Sequence, residues 1–202
     1  MSSYYEKIGN ETRSIDEEIP FEIPENWEFC RLSFVCWLGD GEKITGESLP
    51  YLEARYLRGK NKATLQKAGK VINPNTKVIL VDGENSGEVF DITERGYIGS
   101  TFRTMNIAPN IYDQYIQIIL EFYKNLFRDS KIGAAIPHLN KKLFQNLIIA
   151  IPPFSEQKRI IDRLDITTLL LLKYSVLEKE ETQLENTFPE KLKKSTLQKQ
   201  NY

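Results

Sequence analysis

Large apolar residues come in short runs along the first half of the chain and at helical spacing along much of the second. From Trp27 to Leu38 they crowd together, which fits a short buried strand or a first helical turn equally well, before Gly39, Asp40 and Gly41 break the run. Leu49, Pro50, Tyr51 and Leu52 predict the next strand. Residues 77–81 are rich in β-branched side chains and close on Asp82 and Gly83, a strand followed by a turn, and residues 89–92 and 97–99 continue in the same style. After Pro109 and Asn110 the period changes. Ile111, Tyr115, Ile118, Ile119, Phe122 and Leu126 fall on one helical face, with Gln114, Gln117, Glu121 and Lys124 mostly outside it.

Residues 133–142 read as a loop, and residues 143–151 return to an apolar, strand-like run ending at Pro152 and Pro153. Ser155 can cap a new helix, with Glu156 in its first turn facing the positive end of the helix dipole. Residues 156–185 hold no proline or glycine, so a helix there would be about 45 Å long at ~1.5 Å per residue. Its apolar positions Ile160, Ile161, Leu164, Leu169, Leu170, Leu171, Leu172, Val176 and Leu177 go nearly all round in the middle, a pattern that asks for a partner helix. The organisation expected is an extended acidic arm over 1–26, a globular domain over 27–154, a long helix over 155–188 and a basic, frayed tail over 189–202.

Composition adds little until it is resolved along the chain. The net charge of the 202 residues is −1, with one histidine, so no global nucleic-acid signature exists. Residues 1–26, however, hold Glu6, Glu11, Asp16, Glu17, Glu18, Glu22 and Glu25 against Lys7 and Arg13, whereas residues 55–77 hold Arg55, Arg58, Lys60, Lys62, Lys67, Lys70 and Lys77 and no acid. Such clustered cations can neutralise phosphates, and the arginine fork can read guanine edges; a solvated basic face is the alternative. Cys30 and Cys36 lack metal-ligand spacing and read as buried free thiols. No basic-then-apolar leader and no apolar run of membrane-spanning length is present, which leads to the expectation of a cytoplasmic protein.

A second polar feature joins Asp82, Gly83, Glu84, Asn85, Ser86 and Gly87 to Gly96, Tyr97, Ile98, Gly99, Ser100, Thr101, Phe102 and Arg103. Its glycines allow tight turns and its polar groups suit bases or phosphates, but it lacks the lysine-serine ending of a phosphate-binding loop, and plain hairpins with polar tips explain it as well. His138 has no matched nucleophile or carboxylate in the sequence and reads as a hydrogen-bonding loop residue. Ile151-Pro152-Pro153-Phe154 is near the tetrapeptide of DNA amino-methyltransferases, but isoleucine cannot accept a hydrogen bond from a flipped base, and no glycine-rich cofactor loop accompanies it. The chain therefore reads as having no catalytic site and no metal site of its own.

Several segments in order carry a resemblance: residues 18–27, 81–87, 99–102, 133–140 and 151–160, of which Pro152-Pro153-Phe154-Ser155-Glu156-Gln157 before a long helix is the most specific. Together they resemble the specificity subunits of type I restriction-modification enzymes. The resemblance implies an α+β (mixed α/β) target-recognition domain with a curved β-rich core that reads one half of a split double-stranded DNA site, followed by a long coiled-coil-type spacer helix. It implies that two such units pair their helices antiparallel and hold methyltransferase subunits, with the restriction subunit attached indirectly. This sequence has one recognition domain and one helix where a full subunit has two of each.

On this reading Arg55, Arg58, Lys60, Lys62, Ser100, Thr101 and Arg103 contact bases or phosphates, and Lys141 and Lys142 grip the backbone. Ile160, Ile161, Leu164 and Leu171 face a partner helix in a homodimer. The chain needs no cofactor itself; S-adenosylmethionine, ATP and magnesium belong to partner subunits. The alternative is a helix-mediated assembly module without DNA specificity.

Overall fold

The acidic start of the chain folds back on itself, where the sequence suggested an extended arm. In the computed structural model, which describes residues 3–132 and 137–199, β1 (Tyr5–Ile8) and β2 (Glu11–Ser14) form an antiparallel hairpin with Tyr5 opposite Ser14. The reason is charge compensation. Arg31 is nearly buried and donates to Glu6 through Nε and Nη2 at 2.6 and 2.9 Å, to Glu18 at 2.9 Å and to the Asn146 carbonyl at 2.5 Å. Acids that looked solvated are thus tied to the domain. The stretch of residues 19–27, which holds Pro20 and Pro24, runs without a helix or strand.

The crowded apolar run resolves into both of its readings in succession: β3 (Glu28–Arg31), the single turn α1 (Leu32–Val35) and β4 (Cys36–Gly39). There follow β5 (Glu42–Tyr51), α2 (Ala54–Leu57), β6 (Thr64–Ile72), β7 (Lys77–Leu80), β8 (Val89–Asp91), β9 (Gly96–Ile98) and β10 (Phe102–Ile107). The rest is helical apart from one strand: α3 (Asp113–Phe122), α4 (Lys124–Asp129), α5 (Lys141–Asn146), β11 (Ile148–Ile151) and α6 (Phe154–Lys199). The chain divides into two units, residues 1–157 and 158–202.

Within the first unit β7 is the central strand. It lies between β10 and β8 in the sheet β4-β10-β7-β8 and is buried on both faces. Val78 and Leu80 point into one cluster with Leu52, Ile72, Phe90 and Phe102, whereas Ile79 and Val81 point into another with Leu32, Ile116, Phe127 and Ile149. A strand with two buried faces reads as a continuous apolar run because alternation has no solvent side to mark. β5, β6 and β9 close on one another, β9 meeting β5 in parallel at Tyr97 and Tyr51, and β11 pairs antiparallel with β3.

The helix after Pro109 departs from its predicted face. Tyr115, Ile116 and Leu120 are buried, as is Phe127 in α4, while Phe122 and Leu126 are 74% and 44% exposed. The chain breaks at Tyr123 between α3 and α4, so one unbroken helical period does not describe the segment. α6 also differs from expectation at both ends. It starts at Phe154, so Ser155 lies inside it, and the Pro153 carbonyl accepts the N–H groups of Glu156 and Gln157 at 2.8 and 3.0 Å. It continues to Lys199, past the limit set at residue 188; Pro189 removes one backbone donor, but the glutamates, lysines and leucines around it favour helix.

The second unit is helix alone. Leu169, Leu170, Leu171, Leu172, Val176 and Leu177 are each more than half exposed on it. No described helix is long and apolar enough to cross a membrane.

Candidate nucleic-acid interface

The basic stretch is acid-free in sequence but not in space. Arg58, at the end of α2, is gripped by Glu88 through Nε at 3.0 and 3.2 Å and through Nη2, and lies 5.7 Å from the centre of the Phe90 ring. Lys70 on β6 donates to Asp40 at 2.6 Å. Lys77 is buried and donates to Asp91 and to Gln117, with Asp113 at 3.6 Å, so it is a structural cation. Arg55, Lys60, Lys62 and Lys67 remain exposed on α2, the turn after it and β6.

Two of the other expected contacts converge. Arg103 on β10 and Lys141 at the start of α5 line a cleft of about 330 Å³ with Trp37, Asp40, Ser33 and Gln145. The Arg103 guanidinium is fixed by donating to the Ser100 and Phe102 carbonyls, both at 2.7 Å, and sits 3.6 Å from Asp40. Asp40 is held below its ordinary pKa chiefly by the Lys70 hydrogen bond, with Arg103 and Lys141 adding to it, so this anion sits among three cations. Asn140 caps α5 by accepting the Leu143 N–H at 3.0 Å, which sets where Lys141 and Lys142 leave the backbone. Ser100, Thr101 and Lys142 are exposed nearby in sequence but do not line the cleft.

Arg58 and Lys60 line a different depression, of about 310 Å³, together with Asn85, Ser86, Lys124 and Arg128. Lys124 and Arg128 were not singled out by sequence as contacts. Their spacing of four residues on a helix is a signal, but it acquires meaning only when α4 is seen beside the loop after β7.

The glycine-rich segments serve the fold first. Gly83 and Gly87 have φ of 99° and 101°, which β-carbon-bearing residues rarely adopt. A β-carbon on Gly96 would come 2.6 Å from the Pro50 carbonyl oxygen, so that glycine lets β9 and β5 approach. His138 Nδ1 lies 2.7 Å from Asp82 Oδ1, a carboxylate partner that the sequence did not reveal, and the Leu139 N–H donates to the Val81 carbonyl at 2.8 Å, so His138 is a hydrogen-bonding loop residue as expected. Residues 133–136 of the adjoining motif lie outside the described residues. Cys30 and Cys36 are free, and burial pushes their thiols up to about 11 and about 12. No cluster able to hold a metal ion occurs among the described residues.

Pro152-Pro153-Phe154-Ser155-Glu156-Gln157 forms a joint. Gln157 is buried; its Oε1 accepts the Tyr112 N–H at 3.0 Å and its Nε2 donates to the Pro152 carbonyl at 3.1 Å. Phe154 stacks on Tyr112 with ring centres 4.1 Å apart. Residues 24–186, which include this joint, the central sheet and most of α6, match the family described as the type I restriction modification DNA specificity domain. The chain belongs to that family.

Two relatives agree. The chain is 32% identical over 149 residues to the MjaVIII type I restriction enzyme specificity subunit of Methanocaldococcus jannaschii, covering 68% of this chain and 35% of the relative. It is 28% identical over 196 residues to the EcoAI specificity subunit of Escherichia coli, covering 84% and 33%. The chain thus spans about a third of the length of these specificity subunits. Its fold is similar to a chain of a type I R-M system solved to explain complex assembly and conformational transition, with TM-score 0.62, 20% identity and coverage of 83% and 45%. It is also similar to the HsdS subunit of Thermoanaerobacter tengcongensis, with TM-score 0.57, 22% identity and coverage of 77% and 41%. The mixed α/β fold of a specificity domain with a C-terminal helix is therefore present in one copy.

Proposed function

We propose that this chain reads one half-site of double-stranded DNA and docks methyltransferase subunits, itself performing no catalysis. The observation that carries the reading is the family match over residues 24–186, which spans both the domain with exposed cations and the helix with an exposed apolar run. In the first unit Arg103 and Lys141 flank Trp37 at one cleft, while Arg55, Lys60, Lys62, Ser100, Thr101 and Lys142 offer further exposed polar groups. Cations that neutralise phosphates hold the duplex, and a fixed arginine fork can discriminate a base edge. Lys77 has no part in this.

The helix supplies the assembly half of the proposal. Leu164 and Leu171 are exposed, whereas Ile161 is buried and Ile160 half-buried. Leucines exposed all round a helix are costly in water and are covered in a coiled coil by a second helix. The partner here is a second copy of this helix, giving a homodimer that reads a split site, or the equivalent helix of a longer subunit. S-adenosylmethionine, ATP and magnesium serve the methyltransferase and restriction subunits. Light scattering on the full chain tests the pairing: a dimer that L164E/L171E converts to monomer is expected, and a monomer at micromolar concentration in the unaltered protein would contradict the homodimer.

A further inference from the structure

We infer that the depression between α4 and the loop after β7 is a seat for one DNA backbone phosphate, formed by Lys124, Arg128, Lys60 and Ser86. The inference rests on the DNA-binding reading and adds to it a site that is separate from the Arg103 and Lys141 cleft. Four cations line the depression (Arg58, Lys60, Lys124 and Arg128) against two carboxylates, those of Glu84 and Glu88. Glu88 is engaged by Arg58, and Glu84 lies 3.8 Å from Lys131, which leaves the remaining positive charge on Lys60, Lys124 and Arg128.

Lys124 pairs with Glu121 at 2.8 Å and Arg128 with Asp129 at 3.4 Å, but each cation is 57% exposed and its acid more so. Exposed pairs of this kind are weak and readily exchanged for a stronger anion. A phosphate offers several acceptor oxygens to the arginine fork and the lysine ammonium at once.

The second observation is Ser86. Its residue is only 6% exposed, it lines the depression, and its buried Oγ has no hydrogen-bond partner among the described residues. A buried hydroxyl without a partner is unfavourable, and a turn of the Ser86 side chain toward the seat would let it donate to an acceptor oxygen there. The neighbouring turn fixes the Ser86 backbone: its N–H donates to the Gly83 carbonyl at 3.1 Å and the Gly87 N–H to the Leu80 carbonyl at 2.7 Å. Sequence alone could not assemble this seat, because its members come from three segments and only one of them is basic in sequence.

The test is DNA affinity across a range of salt concentrations for the full chain assembled with its methyltransferase subunits, comparing the unaltered protein with K124Q/R128Q and with S86A. The double variant should lose affinity on the order of ten-fold on every duplex, without changed site preference, and the slope of log affinity against log salt should fall by about 1. S86A should weaken DNA binding in the same sequence-independent way and leave the slope nearly unchanged, while the melting temperature of the free protein rises because the unpartnered hydroxyl is gone. A double variant with unaltered affinity and slope overturns the seat. Equal protection of the unaltered seat by millimolar inorganic phosphate, with no effect of the variants on DNA, would assign it to a free anion and overturn it as a DNA contact. An unaltered complex that shows no salt-dependent DNA retention would instead overturn the DNA reading on which the seat rests.

Discussion

Gln157 Oε1 and the backbone N–H of Tyr112 lie 3.0 Å apart, joining the first turn of α6 to the start of α3. The other side of the same amide donates to the Pro152 carbonyl, so both ends of a buried polar group are satisfied by backbone 45 and 5 residues away. Leucine at this position would keep the volume and strand the Tyr112 N–H, at a cost of about 1–3 kcal/mol. Glutamate would keep the acceptor for Tyr112 but place an oxygen against the Pro152 carbonyl, burying a charge without a donor. Urea unfolding should therefore rank the unaltered protein above Q157L and Q157L above Q157E; equal midpoints would remove the joint from the stability account.

The Arg31 and Glu6 pair predicts an acid dependence. Glu6 is held below the ordinary carboxylate value of 4.5 first by its Arg31 hydrogen bond, opposed by burial and aided by Arg13. A carboxylate depressed in the folded state adds stability that is complete above its unfolded pKa and drains as pH falls through the folded value. Melting temperature should thus fall as pH is lowered below about 4.5, with part of that dependence missing in E6Q. R31A should lose roughly 1.5–3 kcal/mol at neutral pH, because Glu6 keeps only Arg13 while Glu18 and the Asn146 carbonyl each lose a donor. A melting profile of E6Q parallel to that of the unaltered protein at low pH would contradict this origin.

Lys77 and Lys141 make opposite predictions despite equal charge. K77M should disturb stability through Asp91, Asp113 and Gln117 and leave the salt slope of DNA binding unchanged, whereas K141M should lower that slope by about 1 with little change in melting. Filter binding at four salt concentrations separates them, and a slope that falls in K77M would return that lysine to the interface.

Asp40 holds Lys70 and sits beside Arg103, so its removal should free positive charge at the cleft. D40N is expected to bind non-specific duplex several-fold more tightly, with a steeper salt slope. Weaker binding would instead mean that Asp40 fixes Arg103 in its productive position.

Much of this was legible in the sequence because it depended on local chemistry: the strand of residues 77–80 followed by the turn at Asp82 and Gly83, the long helix beyond Pro153, and the free thiols at 30 and 36, of which Cys36 is buried and Cys30 half-buried. What was not legible depended on residues meeting from far apart. The acidic hairpin needed Arg31, about 25 residues on; the basic stretch lost Arg58, Lys70 and Lys77 to Glu88, Asp40 and Asp91, none of which lies inside it. Within α3 the buried side is Tyr115, Ile116 and Leu120 rather than Ile118 and Phe122, and the break at Tyr123, which no proline or glycine announces, resets the phase so that Phe127 rather than Leu126 is buried in α4. The same distance explains the interface: Arg103 and Lys141 meet at one cleft and Arg58 and Lys60 at another, a division no linear spacing encodes.

The most direct measurement of half-site reading is selection from a randomised duplex pool by the full chain assembled with methyltransferase subunits, followed by sequencing of the retained DNA. Half-site reading predicts enrichment of a short defined motif, appearing as two inverted copies at fixed spacing if the helices pair two copies of this chain. Retention without any enriched sequence, or none at all by a properly assembled complex, would contradict it.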